Sequence, residues 1–186
     1  MKNLYALSLL RSARNKTGLF AVLSVFLLSM FGFAIQSASA SHLSAGYITY
    51  EKVPGNNRIY RVQLYLYRDC SGIRLENRSQ TVVVTNTCNG NSVSRNLPFS
   101  QQPAFNPQGE PNPNEVSPTC PGAPTTCAGG TEPGYEEFYY EFEFNLDDID
   151  PSGTCTDFVF SYDNCCRNGS INTISSPNNA SMYVET

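Results

Sequence analysis

The sequence contains no tryptophan, a single histidine (His42) and no cysteine before Cys70. The missing tryptophan excludes the antibody-type core, in which a buried indole packs on the inter-sheet disulfide. A Ser-His-Asp or Cys-His nucleophilic site would have to be built on His42, close to the start of the mature chain inferred below. A zinc site pairs cysteines at C-x(2–4)-C spacing with histidine or with further such pairs. Here the closest separated cysteines, Cys120 and Cys127, enclose six residues. Beyond residue 40 there is no helical hydrophobic period, which excludes a helix bundle or an alternating βαβ fold.

What is present begins with an export signal. Lys2, Arg11, Arg14 and Lys16 form a basic segment without acidic residues. Leu19 to Ile35 is apolar except for Ser24, Ser29 and Gly32, and Ala38-Ser39-Ala40 supplies the small residues of a cleavage site. This order reads as a helical signal peptide over 1–40, cleaved after Ala40. The alternative is an uncleaved anchor, for which the apolar run is short. With Cys70 the first cysteine, no lipid attachment cysteine stands at the new N-terminus. Of 12 basic and 16 acidic residues, all four basic residues of the leader are removed, leaving 8 against 16. That balance argues against nucleic acid and against an anionic membrane as partner.

Residues 41–186 are written in strand patterns. Tyr47–Glu51 is a short β-rich run, and the turn cluster at Gly55-Asn56-Asn57 joins it to Arg58–Arg68. In that second run Tyr60, Val62, Leu64 and Leu66 share one face, while Arg61, Gln63, Tyr65 and Tyr67 share the other. Thr81–Thr85 and Ser92–Leu97 read as two more strands. In Glu136–Leu146, Phe138, Tyr140, Phe142, Phe144 and Leu146 alternate with Glu137, Tyr139, Glu141, Glu143 and Asn145. Cys155–Tyr162 is a further strand, and Asn168-Gly169 predicts a hairpin that returns through Ile171–Ile174. Ala180–Thr186 opens like another strand. Together these predict an all-β, antiparallel immunoglobulin-like β-sandwich.

One segment breaks the pattern. Residues 99–134 carry eight prolines and cannot hold a helix or a central strand. A loop of that length in a compact domain is expected to be functional or stapled. A Cys120–Cys127 bond would tie part of it down, contributing about 2–3 kcal/mol by loop-closure entropy.

The seven cysteines are 70, 88, 120, 127, 155, 165 and 166. In an exported chain they read as disulfides, with one left over. Adjacent Cys165 and Cys166 would close a strained ring if bonded to each other. On extended backbone their side chains point to opposite faces, so each is expected to reach a different partner. Cys70 is expected to bond one of them and Cys88 the other, while Cys155 stays free or links to another chain.

Other chemistry is thin. The acidic face Glu137, Glu141 and Glu143 reads as the solvated side of a strand. Asp147, Asp148 and Asp150 are the candidate calcium ligands, although their spacing does not match an EF-hand loop. No cofactor and no enzymatic activity are expected.

Four segments resemble a known family: Ser41–Tyr50 (SHLSAGYITY), Tyr65–Cys70 (YLYRDC), Cys127–Phe144 (CAGGTEPGYEEFYYEFEF) and Phe160–Ile174 (FSYDNCCRNGSINTI). They are similar to the N-terminal module of large secreted, gliding-motility-associated surface proteins of Bacteroidota-type bacteria. The resemblance implies that the module heads a longer chain with immunoglobulin-like repeats and a C-terminal sorting domain read by type IX secretion. No such domain precedes Thr186, so a fragment of a longer surface protein is expected. The expected function is adhesion or protein interaction at the cell surface, through Tyr65, Tyr67, Tyr139 and the proline-rich loop. The alternative is carbohydrate binding by the same tyrosines. The partner is thus a surface protein or a glycan.

Overall fold

The structure, a computed structural model, describes residues 43–186 apart from 121 and 170. The inferred signal peptide, its cleavage point and His42 lie outside the described residues. The chain forms β1 (Leu43–Lys52), β2 (Ile59–Asp69), β3 (Ser79–Asn86), β4 (Ser92–Pro98), β5 (Asn114–Glu115), β6 (Tyr135–Asn145), β7 (Phe158–Asn164) and β8 (Met182–Glu185). Two four-stranded antiparallel sheets result, ordered β1-β2-β6-β5 and β4-β3-β7-β8.

The alternation in the sequence sets which faces meet. Val62, Leu64 and Leu66 of β2 lie opposite Phe142, Tyr140 and Phe138 of β6. With Phe144 they join Val82, Val84, Phe160 and Tyr162 of the second sheet in one hydrophobic core. Burying each such side chain stabilises the fold by roughly 1.5–3 kcal/mol before entropy is counted. The β1–β2 hairpin forms where the turn residues predict it, with Val53 N donating to Ile59 O at 3.0 Å and Gly55 at φ +82°. Only glycine adopts that φ without strain.

The predicted return strand is not Ile171–Ile174. β7 pairs instead with β8, Asn164 opposite Met182 and Ser161 opposite Glu185. The Asn168-Gly169 turn signal yields because Asn168 is buried. Its backbone N donates to Leu43 O (3.1 Å) and its Nδ2 donates to Asp69 Oδ2 (2.8 Å). The side chain that would have favoured a tight turn fastens this segment to β1 and β2.

The proline-rich segment is a third layer. It lies on the outer face of the first sheet, and β5 within it pairs with Glu136 and Glu137 of β6. Proline removes backbone donors, and asparagine and glutamine side chains replace them. Asn112 Nδ2 donates to Tyr139 O (2.8 Å) and to Pro103 O (2.9 Å), while its Oδ1 accepts from Tyr139 N (2.9 Å). Gln102 Oε1 accepts from Glu141 N at 2.8 Å. Asn106, itself buried, accepts from Gln108 N and Glu110 N and donates to Glu137. Beyond the two residues paired with β5, loop side chains thus take the place of a neighbouring strand along this edge of β6.

The disulfides correct the expected pairing throughout. Cys70 bonds Cys127, Cys88 bonds Cys155, Cys165 bonds Cys166, and Cys120 is exposed and free. Strand pairing explains the first two. Asp69 lies opposite Tyr135, so the chain leaving β2 meets the chain entering β6, and Cys70 N donates to Gly134 O at 2.9 Å. A Cβ on Gly134 would stand 2.6 Å from Cys127 Sγ, so the Gly in EPGY leaves room for that sulfur. Likewise Asn86 lies opposite Phe158, which brings Cys88, just after β3, beside Cys155, just before β7.

At Cys165-Cys166 the premise of extended backbone fails. Cys166 has φ +82°, which turns the chain and ends the alternation of side chains. The two residues bond each other. The segment joins its neighbours through main-chain hydrogen bonds, with Cys166 N and Arg167 N both donating to Ala180 O at 3.1 Å.

Candidate functional site

Two regions concentrate aromatic side chains near solvent. The first is the outer face of the first sheet, where Tyr47, Tyr65 and Tyr139 stand side by side on three successive strands. The Tyr47 and Tyr65 rings stack at 4.5 Å, and Tyr65 and Tyr139 are tilted at 5.0 Å. Of the predicted contact residues, Tyr65 (4% exposed) and Tyr139 (1% exposed) are buried, and only Tyr67 is half-buried. The outward side of a strand is wet only if nothing lies on it, and here the 99–134 loop does.

Burial pushes the Tyr65, Tyr67 and Tyr139 hydroxyls up from the ordinary tyrosine range. Tyr67 is held further by donation to Glu137 (2.7 Å) and Tyr139 by donation to Glu141 (2.6 Å). Two of the three glutamates expected on a solvated strand face are therefore acceptors beneath the loop. The rings that reach solvent are Tyr47 (45% exposed) and Phe105 (60%), the latter on the loop itself. A groove of about 280 Å3 runs beside Phe105, floored by Gln63 and Tyr139 and edged by Glu51, Arg61 and Glu141. Sequence alternation pointed to this face; it could not show that the ladder continues onto Tyr47 or that Phe105 stands above it.

The second region is a cleft at the end of the sheets that carries the β1–β2 turn. Its volume is about 310 Å3, and Tyr50, Tyr60, Phe158 and Phe160 line it together with Arg58 and Asp157. Nothing in the sequence marked these rings as neighbours, because they come from three strands of two sheets.

The calcium candidates flank that cleft without converging. Asp147 takes the Arg58 Nε–H, and Asp148 accepts from Arg95 at 2.6 Å. Asp150 is buried and accepts from Ser152 Oγ (2.6 Å) and Cys155 N (3.0 Å). These hydrogen bonds and nearby Arg58 hold the Asp150 carboxyl below the usual aspartate range. Asp147 and Asp150 both pair with Arg58, Asp148 pairs with Arg95, and the three carboxylates do not form a grouping of possible metal ligands. Among the described residues, the one grouping of possible metal ligands is Cys70, Cys127 and Glu136. Its two sulfurs are bonded to each other, and its carboxylate pairs with buried Arg68 at 2.5 Å.

The fold and these sites define an all-β, two-sheet, disulfide-bonded protein with a loop laid over one face. Protein-family models, curated proteins and solved structures give no match to the chain.

Proposed function

We propose that the chain is a secreted, non-enzymatic immunoglobulin-like β-sandwich module that makes adhesive or protein contacts at the cell surface. The observation that carries this reading is the pair of solvent-facing rings, Tyr47 and Phe105, mounted on the loop-covered tyrosine ladder. Loops on a rigid scaffold carry binding, and aromatic anchors dominate the energetics of protein contacts. Three disulfides suit an oxidising compartment. The signal-like 1–40 segment supports export, and the resemblance of the four motifs supports a place at the head of a longer surface protein delivered by type IX secretion.

Fractionation of cells expressing the full chain, with mass spectrometry of its N-terminus, tests export: a mature start at Ser41 outside the cytoplasm is expected. Binding of the purified protein to intact producing cells tests the contact face. Tyr47→Ala combined with Phe105→Ala should reduce it at least tenfold with the melting temperature kept. Retention in the cytoplasm with reduced cysteines would remove the reading.

A further inference from the structure

The cleft at the hairpin end has the makings of a small-ligand site. Tyr50 is 46% exposed, yet its ring is fixed, edge-on to Tyr60 at 5.7 Å and tilted on Phe160 at 5.4 Å. Phe160 and Leu146 are buried at the floor. The rim is polar, with Asn57, Arg58, Thr156 and Asp157 around the opening. Thr87 Oγ1 donates to Asp157 Oδ2 at 2.8 Å and so orients that carboxylate. The Asn57 and Thr156 side chains are exposed at the rim, where a ligand in the cleft can reach them.

The charge pattern narrows the ligand class. Arg58 is the cation at the rim, and its charge is offset by two aspartates: Nε donates to Asp147, and Nη2 donates to Asp150 O and lies 3.5 Å from Asp150 Oδ2. With Asp147, Asp150 and Asp157 close by, the surroundings are net negative, which disfavours phosphate, sulfate or carboxylate ligands. A held aromatic face, an oriented carboxylate and exposed amide and hydroxyl groups suit a neutral ring with one apolar and several hydroxylated edges. The volume of about 310 Å3 sits at the low end for ligand pockets and fits one or two rings.

We propose that this cleft binds a neutral saccharide ring, stacked on Tyr50, with Asp157 accepting from its hydroxyls and Asn57 and Thr156 completing the contacts. The carbohydrate reading thereby moves from Tyr65, Tyr67 and Tyr139, two of them buried, to the opposite side of β1. It does not depend on the outer-face contact surface.

The test is an array of neutral oligosaccharides probed with the exported chain, followed by calorimetry with any binder. Heparin and a lysine-rich peptide serve as charged comparisons. At least one neutral glycan should bind, with Tyr50→Ala and Asp157→Asn each weakening it at least tenfold. Tyr47→Ala with Phe105→Ala should leave that affinity unchanged, which separates this site from the contact face. Melting curves of both cleft variants show that they fold, and Asp157→Asn keeps the test decisive if Tyr50→Ala does not. The proposal is overturned if no neutral glycan binds, if binding survives both cleft substitutions, or if only heparin or the peptide binds.

Discussion

The outer face of the first sheet carries Arg61, Gln63, Tyr65, Tyr67, Tyr139 and Glu141, and the 99–134 loop lies on it. The outer face of the second sheet carries Thr81, Val83, Thr85, Ser94, Asn96 and Ser161, all exposed or half-buried. Both faces come from the same strand alternation. They differ mainly in side-chain size: the covered face stacks large amphipathic rings, which gain from a layer above them, whereas the uncovered face carries mostly short side chains, with Tyr183 of β8 (54% exposed) as a large ring in water. Alternation therefore says which residues share a face, and the residues on that face tell whether it stays wet.

If the loop is a structural layer, perturbing it should unsettle the first sheet and spare the second. The largest effect is expected from Cys70→Ser with Cys127→Ser, which frees a loop of 57-residue separation. Loop-closure entropy puts the loss at about 4 kcal/mol, readable by urea unfolding without reductant. Non-reducing peptide mapping should recover the Cys70–Cys127 peptide; a Cys120–Cys127 peptide would break the account of how the loop is fastened.

Next comes Tyr139→Ala, which empties a buried site between loop and sheet and should cost about 3–4 kcal/mol. Val83→Ala, at a half-buried outward position of the second sheet, should cost about 1 kcal/mol or less. Equal losses at the two sites would erase the contrast between the faces.

Asn112→Ala removes both side-chain hydrogen bonds to the Tyr139 backbone. A cost of about 1–3 kcal/mol is expected, because buried groups are left unpaired. Hydrogen exchange should quicken at the Tyr139 amide and stay unchanged at Val83.

The pH dependence is a gentler probe. The folded state holds the Tyr65, Tyr67 and Tyr139 hydroxyls above their unfolded value. Stability from these groups is thus fully present below about pH 10, where unfolded tyrosine is neutral, and falls as pH rises beyond it. Tyr139→Phe should flatten the alkaline loss. Alkaline stability identical to wild type would show that the ring titrates as if exposed.

Most strands were legible because aromatic and aliphatic residues recur at period two over long runs, as in Glu136–Leu146. The Ile171–Ile174 return strand was misread because Asn168-Gly169 looks like a hairpin turn until Asn168 is seen hydrogen-bonded to Asp69. The cysteine links were misassigned because they depend on which strand ends meet. Once β2 is placed on β6 and β3 on β7, the Cys70–Cys127 and Cys88–Cys155 bonds follow from register. Cys165-Cys166 depended on one backbone angle, the positive φ of Cys166, which composition does not reveal. The cleft was illegible for a related reason: Tyr50, Tyr60 and Phe160 meet across two sheets.

Residue-resolved tyrosine nitration, read by mass spectrometry on the folded chain, tests the covering of the first sheet most directly. Tyr47, Tyr50 and Tyr183, which are 45%, 46% and 54% exposed, should react readily. Tyr65 and Tyr139 should be protected until the protein unfolds. Nitration of Tyr65 and Tyr139 at the rate of Tyr47 in the native protein would contradict a loop that serves as a third layer.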